Sequence, residues 1–247
     1  MASAELPPVP RLPSRRSAVP RRGPRERALS REAIATAALA VIDAEGLDAM
    51  TMRRVAEELG TGAASLYAHV AGKEELVELV IDRVIGEVEI PEIDDAESPP
   101  ASWQEEIKAG LRAIRAEFGR HRDLARASFA RIPMGENALR GSEWMIATMR
   151  RGGLPDQVIA YAIDLLSLYV MAISYEDGLY AGEQTSPADI EAFVADMRRY
   201  MAALPAERFP NVVALAGPLT AGTGDERFEF GLEVLVRGVA AMAESPG

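Results

Sequence analysis

Apolar side chains recur at intervals of three and four residues along most of the chain, which is the periodicity of helices that bury one face. No segment alternates apolar and polar residues convincingly, and no repeat of helical units is detectable. We therefore predict an all-α fold, with a small N-terminal three-helix unit followed by a larger helical bundle. The predicted helices span residues 31–46, 52–59, 63–70, 73–88, 102–118, 123–131, 136–151, 155–175, 187–204 and 226–243, and a Pro- and Gly-rich loop is predicted over 205–224.

Composition divides the chain into four segments. Residues 1–29 contain six prolines and seven arginines but no apolar run typical of a secretory signal, so a disordered tail is predicted. Residues 30–88 hold the first helices, with Ser30 suited to cap the first and Gly46 suited to end it. The acidic, proline-bounded segment 89–101 is predicted to link this unit to a C-terminal domain, residues 102–247.

The net charge of −11 is distributed unevenly. Residues 1–72 contain ten arginines and no lysine against eight acidic residues, a balance of +2, whereas the remainder carries −13. This asymmetry favours a small basic module in front of a larger acidic one. A random scatter of solvated charge is the alternative.

The absence of cysteine and the presence of only two histidines, His69 and His121, exclude several kinds of chemistry. Disulfides, thiolate metal sites, iron–sulfur clusters and thiol catalysis need cysteine, and multi-histidine metal sites need more imidazoles. His121 is interpreted as a surface or hydrogen-bonded histidine rather than a ligand. The sequence also offers no nucleophile–base pair and no phosphate-binding loop, so no enzyme activity, cofactor or metal site is predicted.

The stretch 158–175 is long and apolar enough to raise the question of a membrane span. Asp164 lies near its middle, and Ser167 and Ser174 interrupt it. A helix that is apolar on nearly all sides is also typical of one buried in a bundle or in an oligomer interface. We predict this soluble arrangement and no membrane contact.

Residues 51–73, TMRRVAEELGTGAASLYAHVAGK, carry the most informative motif. Two short helices joined by a glycine turn and packed on a preceding helix describe a helix-turn-helix, whose second helix enters the major groove of DNA. Arginine offers a bidentate fork to guanine, and hydroxyl, imidazole and ammonium groups donate to phosphates. The candidate DNA contacts are Arg53, Ala63, Ala64, Ser65, Tyr67, His69 and Lys73.

The run GLDAMTMRRVAEELGTGAASLYAHVAGKEEL resembles the DNA-binding domain of the tetracycline-repressor (TetR) family. That family has a Thr near the start of the second helix, then A-x-x-L-G, a short turn, S/T-L-Y-x-H and a following Lys, and this chain has all of them. The resemblance implies that Arg53 contacts a base and that Ser65, Tyr67, His69 and Lys73 contact the operator. Ala63 and Ala64 replace the Gln and Pro of the tetracycline repressor, so a different operator is expected because methyl groups make no hydrogen bonds to bases.

Three C-terminal segments, 102–104, 119–123 and 228–233, resemble the tetracycline-repressor subclass itself. The resemblance implies a homodimer in which the apolar helices 158–175 and 226–243 pair with their mates in a four-helix bundle. Leu232 and Leu235 are predicted to lie in this interface. Whether the Arg-rich tail also contacts DNA is left open.

The same resemblance implies a ligand cavity in the bundle, although the drug-binding residues differ. Ser128, Gly110 and Ile114 replace the metal-binding His, a drug-contacting Asn and a drug-contacting Phe, and only Glu176 matches a metal-associated Glu. A magnesium–tetracycline complex is therefore not expected, and an apolar ligand is. Its candidate contacts are Trp103, Phe118, Phe129, Trp144, Met145, Tyr169 and Glu176, with Tyr161 and Met171 as further aromatic and apolar positions.

The sequence thus predicts a cytoplasmic, homodimeric repressor that leaves a palindromic double-stranded operator when a small molecule binds its C-terminal domain. A transcriptional activator with the same domains is one alternative. An all-α small-molecule-binding protein or enzyme without DNA function is the other, and it predicts no salt-dependent affinity for DNA.

Overall fold

The computed structural model describes residues 29–89, 102–121, 123–129, 131–180 and 186–243. Within these ranges every regular element is a helix, so the predicted all-α fold is confirmed. The predicted tail 1–29 and linker 89–101 lie outside the described residues apart from Leu29 and Glu89. In chain order the helices are α1 (Arg31–Glu45), α2 (Met52–Glu58), α3 (Ala63–Leu66), α4 (Lys73–Glu87), α5 (Ser102–Gly119), α6 (Leu124–Ser128), α7 (Glu136–Arg151), α8 (Asp156–Tyr180), α9 (Pro187–Ala202), α10 (Pro210–Ala214), α11 (Ala216–Leu219) and α12 (Gly224–Ala243).

Several predicted elements differ from the structure: α8 runs five residues beyond its predicted end, and α6 is shorter than the predicted 123–131. The helix predicted over 63–70 ends at Leu66. The turns after it combine i→i+3 hydrogen bonds, such as the one from His69 N–H to the Leu66 carbonyl, with one i→i+4 bond from Val70 N–H to the same carbonyl. The loop predicted over 205–224 contains the short helices α10 and α11. Pro210 begins α10, where its fixed φ suits the first helical turn and its missing N–H costs nothing.

Local capping fixes the first helices. The Ser30 hydroxyl accepts a hydrogen bond from the Ala33 N–H at 3.1 Å, and the Thr51 hydroxyl accepts one from the Arg54 N–H at 3.1 Å. Gly46 follows α1 with a φ of +88°, a region that favours glycine. The predicted start and end of α1 are therefore confirmed.

A single hydrophobic core joins the N-terminal unit to the beginning of the bundle. Ile42, Leu66 and Val80 are fully buried in it, and so are Phe118 and Leu124 from α5 and α6. Burial of such side chains stabilises the fold by about 1.5–3 kcal/mol each. Because α4 packs on both α1 and α7, it contacts both parts of the protein.

Helices α5, α7, α8 and α12 enclose a second core. The prediction that Leu232 faces a dimer partner is wrong, because this side of α12 packs on α5 and α8 and leaves Leu232 0% exposed within one protomer. Leu235 is half-buried against the same core. The outward side of α12 presents Phe230 and Val234 instead, which are 73% and 52% exposed.

Helix α8 is apolar on two opposite sides. One side, with Leu166 and Val170, is buried in the second core, whereas Tyr161, Leu165 and Leu168 on the other side are exposed. Among the described residues, one segment, Asp156–Gly178, has the length and composition of a membrane span. A helix that packs in a bundle on one side and against a second protein on the other has the same composition.

Ion pairs fasten α5 to α12. Arg112 donates to both carboxylate oxygens of Glu229, at 2.8 and 2.6 Å, and Lys108 donates to Glu233 at 2.6 Å. The hydrogen bonds from Arg112 lower the pKa of Glu229, and the hydrogen bond from Lys108 lowers the pKa of Glu233. Each carboxylate therefore stabilises the fold when it is ionised.

We expect this pairing to make stability depend on pH in the acidic range. Because the pKa of Glu229 is lowered on folding, its contribution is present above the ordinary carboxyl pKa and is lost as the pH falls through the lowered value. Glu229→Gln should reduce the free energy of unfolding at neutral pH by less than about 1 kcal/mol, since both partners are partly exposed. Urea unfolding should show that the difference from wild type shrinks at acidic pH, whereas Glu191→Gln on α9, the control, should show no such trend.

Candidate nucleic-acid interface and ligand cavity

Helices α2 and α3 form a compact helix-turn-helix. Val55 and Leu66 are fully buried, and Ala56 is small enough for the two helices to approach each other closely. Gly60 makes the turn with a φ of +65°, and the Thr61 N–H closes it on the Ala56 carbonyl at 2.9 Å. This packing leaves one side of α2 and α3 exposed.

The predicted base-contacting residues lie on the exposed side. The Arg53 side chain is 87% exposed. Its Nε donates to Glu57, one turn further along α2, at 2.9 Å. Ala64 and Tyr67 are also exposed, and Ala63 is half-buried at the start of α3. A surface ion pair of this kind is weak, so the Arg53 guanidinium is available to another partner.

The other predicted operator contacts are half-buried. The Ser65 hydroxyl accepts a hydrogen bond from Thr61 at 3.2 Å, and the Lys73 ammonium lies 3.4 Å from the Leu47 carbonyl. The His69 ring is partly exposed in the turns that follow α3. These residues lie at the edge of the exposed side rather than at its centre.

Arg31 and Glu75 position the turns that follow α3, a role that sequence analysis missed. The Arg31 guanidinium donates to the His69 carbonyl at 2.6 Å and to Glu75 at 2.9 Å. Glu75 in turn accepts from the Ala71 N–H at 2.6 Å. Arg31 lies about forty residues from its partners, so no short motif relates them. Together they tie α1 and α4 to the segment after α3.

A cavity of about 360 Å³ lies between α4 and the bundle helices α5, α7 and α8. Its size is within the range of small-molecule sites, and its lining is mainly apolar. The lining residues are Ile81, Ile85, Val88, Gly110, Leu111, Ile114, Phe118, Ser128, Phe129, Arg131, Ile132, Pro133, Ala138, Gly141, Ser142, Trp144, Met145, Asp164, Ser167, Leu168, Val170 and Met171.

Four of the seven predicted ligand contacts line this cavity, and Met171 does so too. They are Phe118, Phe129, Trp144 and Met145. The other three do not line it, although Glu176 lines a second cavity, of about 490 Å³, between α8, α9 and α12. Trp103 packs near Gly152 in the second core, Tyr169 stacks on Phe228, and Glu176 accepts a hydrogen bond from Arg227 at 3.0 Å. Tyr161, the remaining aromatic candidate, is exposed on the outer side of α8.

The three positions that differ from the tetracycline repressor all line the cavity: Gly110, Ile114 and Ser128. Gly110 allows α5 to approach α7, because a Cβ there would lie 2.6 Å from the Trp144 ring. The Ser128 hydroxyl donates to the Leu124 carbonyl at 3.0 Å. A serine that is hydrogen-bonded to its own helix is a poor substitute for a metal-binding imidazole.

Two family models match the chain. The model "Bacterial regulatory proteins, tetR family" covers residues 34–80, which contain the helix-turn-helix. The model "Tetracyclin repressor-like, C-terminal domain" covers residues 96–243, which contain most of the cavity lining.

Individual relatives are similar to this chain over most of its length. The HTH-type transcriptional repressor DrrR1 of Streptomyces coeruleorubidus is 33% identical over 226 residues, which are 90% of this chain and 81% of that repressor. The tetracycline repressor protein class D of Escherichia coli is 27% identical, over 85% and 88% of the two chains. The crystal structure of the TetR family protein ActR of Streptomyces coelicolor in complex with actinorhodin has 44% identity and a TM-score of 0.78, over 87% of this chain and 97% of ActR. With both of its domains matched, this chain belongs to the TetR family of bacterial transcriptional regulators.

Proposed function

We propose that the chain is a cytoplasmic, homodimeric repressor whose operator is released when a small, largely apolar molecule enters the cavity next to α4. The observation that supports this most strongly is the position of α4. Val80 and Val84 of α4 are buried in the core that holds the helix-turn-helix, and Ile81 and Ile85 line the cavity. One rigid helix is therefore shared by the DNA-reading unit and the ligand site.

The cavity lining indicates the class of ligand. Apolar and aromatic side chains dominate it, and they favour a flat hydrophobic molecule. Phe118, Phe129 and Trp144 supply the aromatic part of this lining. Since ActR binds actinorhodin, we choose actinorhodin as the probe.

The dimer is expected to form through the outer sides of α8 and α12. Tyr161 and Leu165 on α8 and Phe230 and Val234 on α12 are exposed apolar residues on neighbouring helices. Pairing them with their copies would remove them from water and fix the separation of two helix-turn-helix units, which is what a palindromic operator requires.

Ligand release is the direct test. We expect actinorhodin to weaken operator binding by about 5–150-fold, the usual range of allosteric coupling, because the ligand displaces α4. Fluorescence anisotropy on a labelled duplex, taken from the region upstream of the gene and located by footprinting, measures this. Magnesium–tetracycline, the comparison ligand, should leave the complex intact because Ser128 replaces the metal-binding His.

Filling the cavity should abolish the response without abolishing DNA binding. Ser142 lies on α7, away from the proposed dimer helices, and its side chain lines the cavity. Ser142→Trp should therefore bind the operator within about twofold of wild type but no longer respond to actinorhodin. Ser142→Ala is the control and should still respond. A normal response of the Trp variant would place the ligand elsewhere.

An activator remains a second candidate, because an activator and a repressor share the same DNA-reading unit. A reporter gene placed behind the footprinted site separates them: deletion of the regulator should raise reporter expression if it represses and lower it if it activates. An enzyme or carrier without DNA function predicts no footprint and no salt-dependent affinity.

A further inference from the structure

A cluster of three polar side chains, those of Glu87, Glu117 and His121, lies where α4 meets α5. None of the three lines the ligand cavity. Glu87 ends α4, Glu117 lies in the last turn of α5, and His121 follows that helix. One donor atom from each of these three side chains lies within 4.8 Å of the others. Glu117 and His121 are four residues apart, but no sequence motif relates Glu87 to them because the linker segment lies between.

The burial of these groups is uneven. Glu117 is only 7% exposed, and the Nε2 atom of His121 is buried without any hydrogen-bond partner among the described residues. That nitrogen lies 3.6 Å from Oε1 of Glu117, too far for a hydrogen bond. Buried polar atoms of this kind are normally satisfied, so the unpartnered Nε2 calls for a ligand.

Asp43 determines which nitrogen of His121 is free. The Asp43 carboxylate lies 3.0 Å from Nδ1, and an ionised carboxylate only accepts hydrogen bonds. Nδ1 therefore carries a proton, and Nε2, which lies 3.6 Å from Oε1 of Glu117, is the ring nitrogen that can bind a cation. A carboxylate behind a histidine in this way is the arrangement that orients metal-ligating imidazoles.

Arginines leave part of each carboxylate available. Arg120 donates to Oε2 of Glu117 at 2.9 Å, and Arg83 pairs with Oε1 of Glu87 at 2.8 Å. The second oxygen of each carboxylate remains for another cation. The two arginines also lower the local negative charge, so the site suits one divalent cation rather than a cluster of them.

We propose that Glu87, Glu117 and Nε2 of His121 bind one divalent transition-metal ion, with zinc as the representative. One imidazole and two carboxylates match the donors that zinc accepts, and water completes the coordination. Because Glu87 belongs to α4 and the other two ligands belong to α5 and its end, the ion fastens the DNA-reading unit to the bundle at a point separate from the ligand cavity.

Calorimetry with the full chain, without an affinity tag, tests the site independently of DNA binding. We expect wild type to bind one Zn²⁺ per protomer and Mg²⁺ at least about tenfold more weakly, because imidazole is a poor ligand for Mg²⁺. His121→Gln should abolish zinc binding. His69→Gln is the matched control, because His69 is the only other histidine in a chain without cysteine.

Two further variants keep the test decisive if His121→Gln fails to fold. Glu87→Gln alters an exposed side chain and should weaken zinc binding by about tenfold or more while leaving the helical circular dichroism unchanged. Asp43→Asn should weaken it by about 10–100-fold through loss of the ring orientation. The proposal is overturned if folded wild type takes up no stoichiometric zinc, or if zinc binding survives Glu87→Gln and His121→Gln or is lost in His69→Gln.

Discussion

The double substitution Phe230→Glu with Val234→Glu is expected to convert the protein into a monomer that binds its operator at least on the order of a hundredfold more weakly. Both side chains are exposed on the outer side of α12, so the folded protomer tolerates the change. Pairing of two protomers would bury four unpaired carboxylates, each at a cost of several kcal/mol. A monomer reads only one half of a palindrome and loses the contribution of the second half.

Sedimentation velocity measures the association state, and anisotropy measures the affinity for the footprinted duplex. Leu139→Glu provides the control, because it introduces the same charge at an exposed leucine on α7. If the double variant sediments as a dimer, the outer sides of α8 and α12 are not the interface. Glutamate at Leu232 would not test the same point, because Leu232 is buried and its replacement unfolds the protomer.

Arg53→Ala is expected to reduce operator affinity by at least about 30-fold while the protein remains folded and dimeric. Loss of a bidentate contact with guanine costs roughly 1–3 kcal/mol, and a dimer makes the contact twice. Because the Arg53 side chain is 87% exposed and its ion pair with Glu57 is weak, the substitution should change the free energy of unfolding very little.

Two variants accompany this measurement. Arg53→Lys keeps the charge but lacks the planar fork, so it should be nearly as defective as the alanine variant if Arg53 reads a base and much less defective if it meets only a phosphate. Arg150→Ala removes a charge from the exposed end of α7 and should have little effect on affinity. Wild-type affinity in Arg53→Ala would exclude the assignment of this residue.

The DNA-reading unit could be predicted from the sequence because its signals are local. The Thr51 cap, the glycine turn at Gly60 and the buried Val55 and Leu66 all lie within sixteen residues, and each has its own structural effect. The end of α3 was predicted too late, because Leu66 and Val70 are both buried at helical spacing although i→i+3 hydrogen bonds follow Leu66. The periodicity of apolar residues does not distinguish an α-helix from the turns that follow Leu66.

The ligand cavity and the dimer surface were less predictable, because both depend on which side of a helix meets which neighbour. Helix α12 is apolar on more than one side, so its pattern alone could not distinguish the buried Leu232 from the exposed Phe230. Trp103 was predicted as a ligand contact by residue type, yet it packs near Gly152 and does not line the cavity. Packing between distant segments decides such assignments.

The shared core of α1–α6 has a consequence for attempts to exchange modules between regulators. A fragment that stops at Glu89 lacks Phe118 and Leu124, whose side chains complete the packing around α4. The fragment would therefore expose apolar surface around α4 to solvent and tend to aggregate. A chimera that takes its DNA specificity from another regulator should therefore include α5 and α6 of that regulator along with α1–α4. The alternative is to substitute only the exposed residues of α2 and α3.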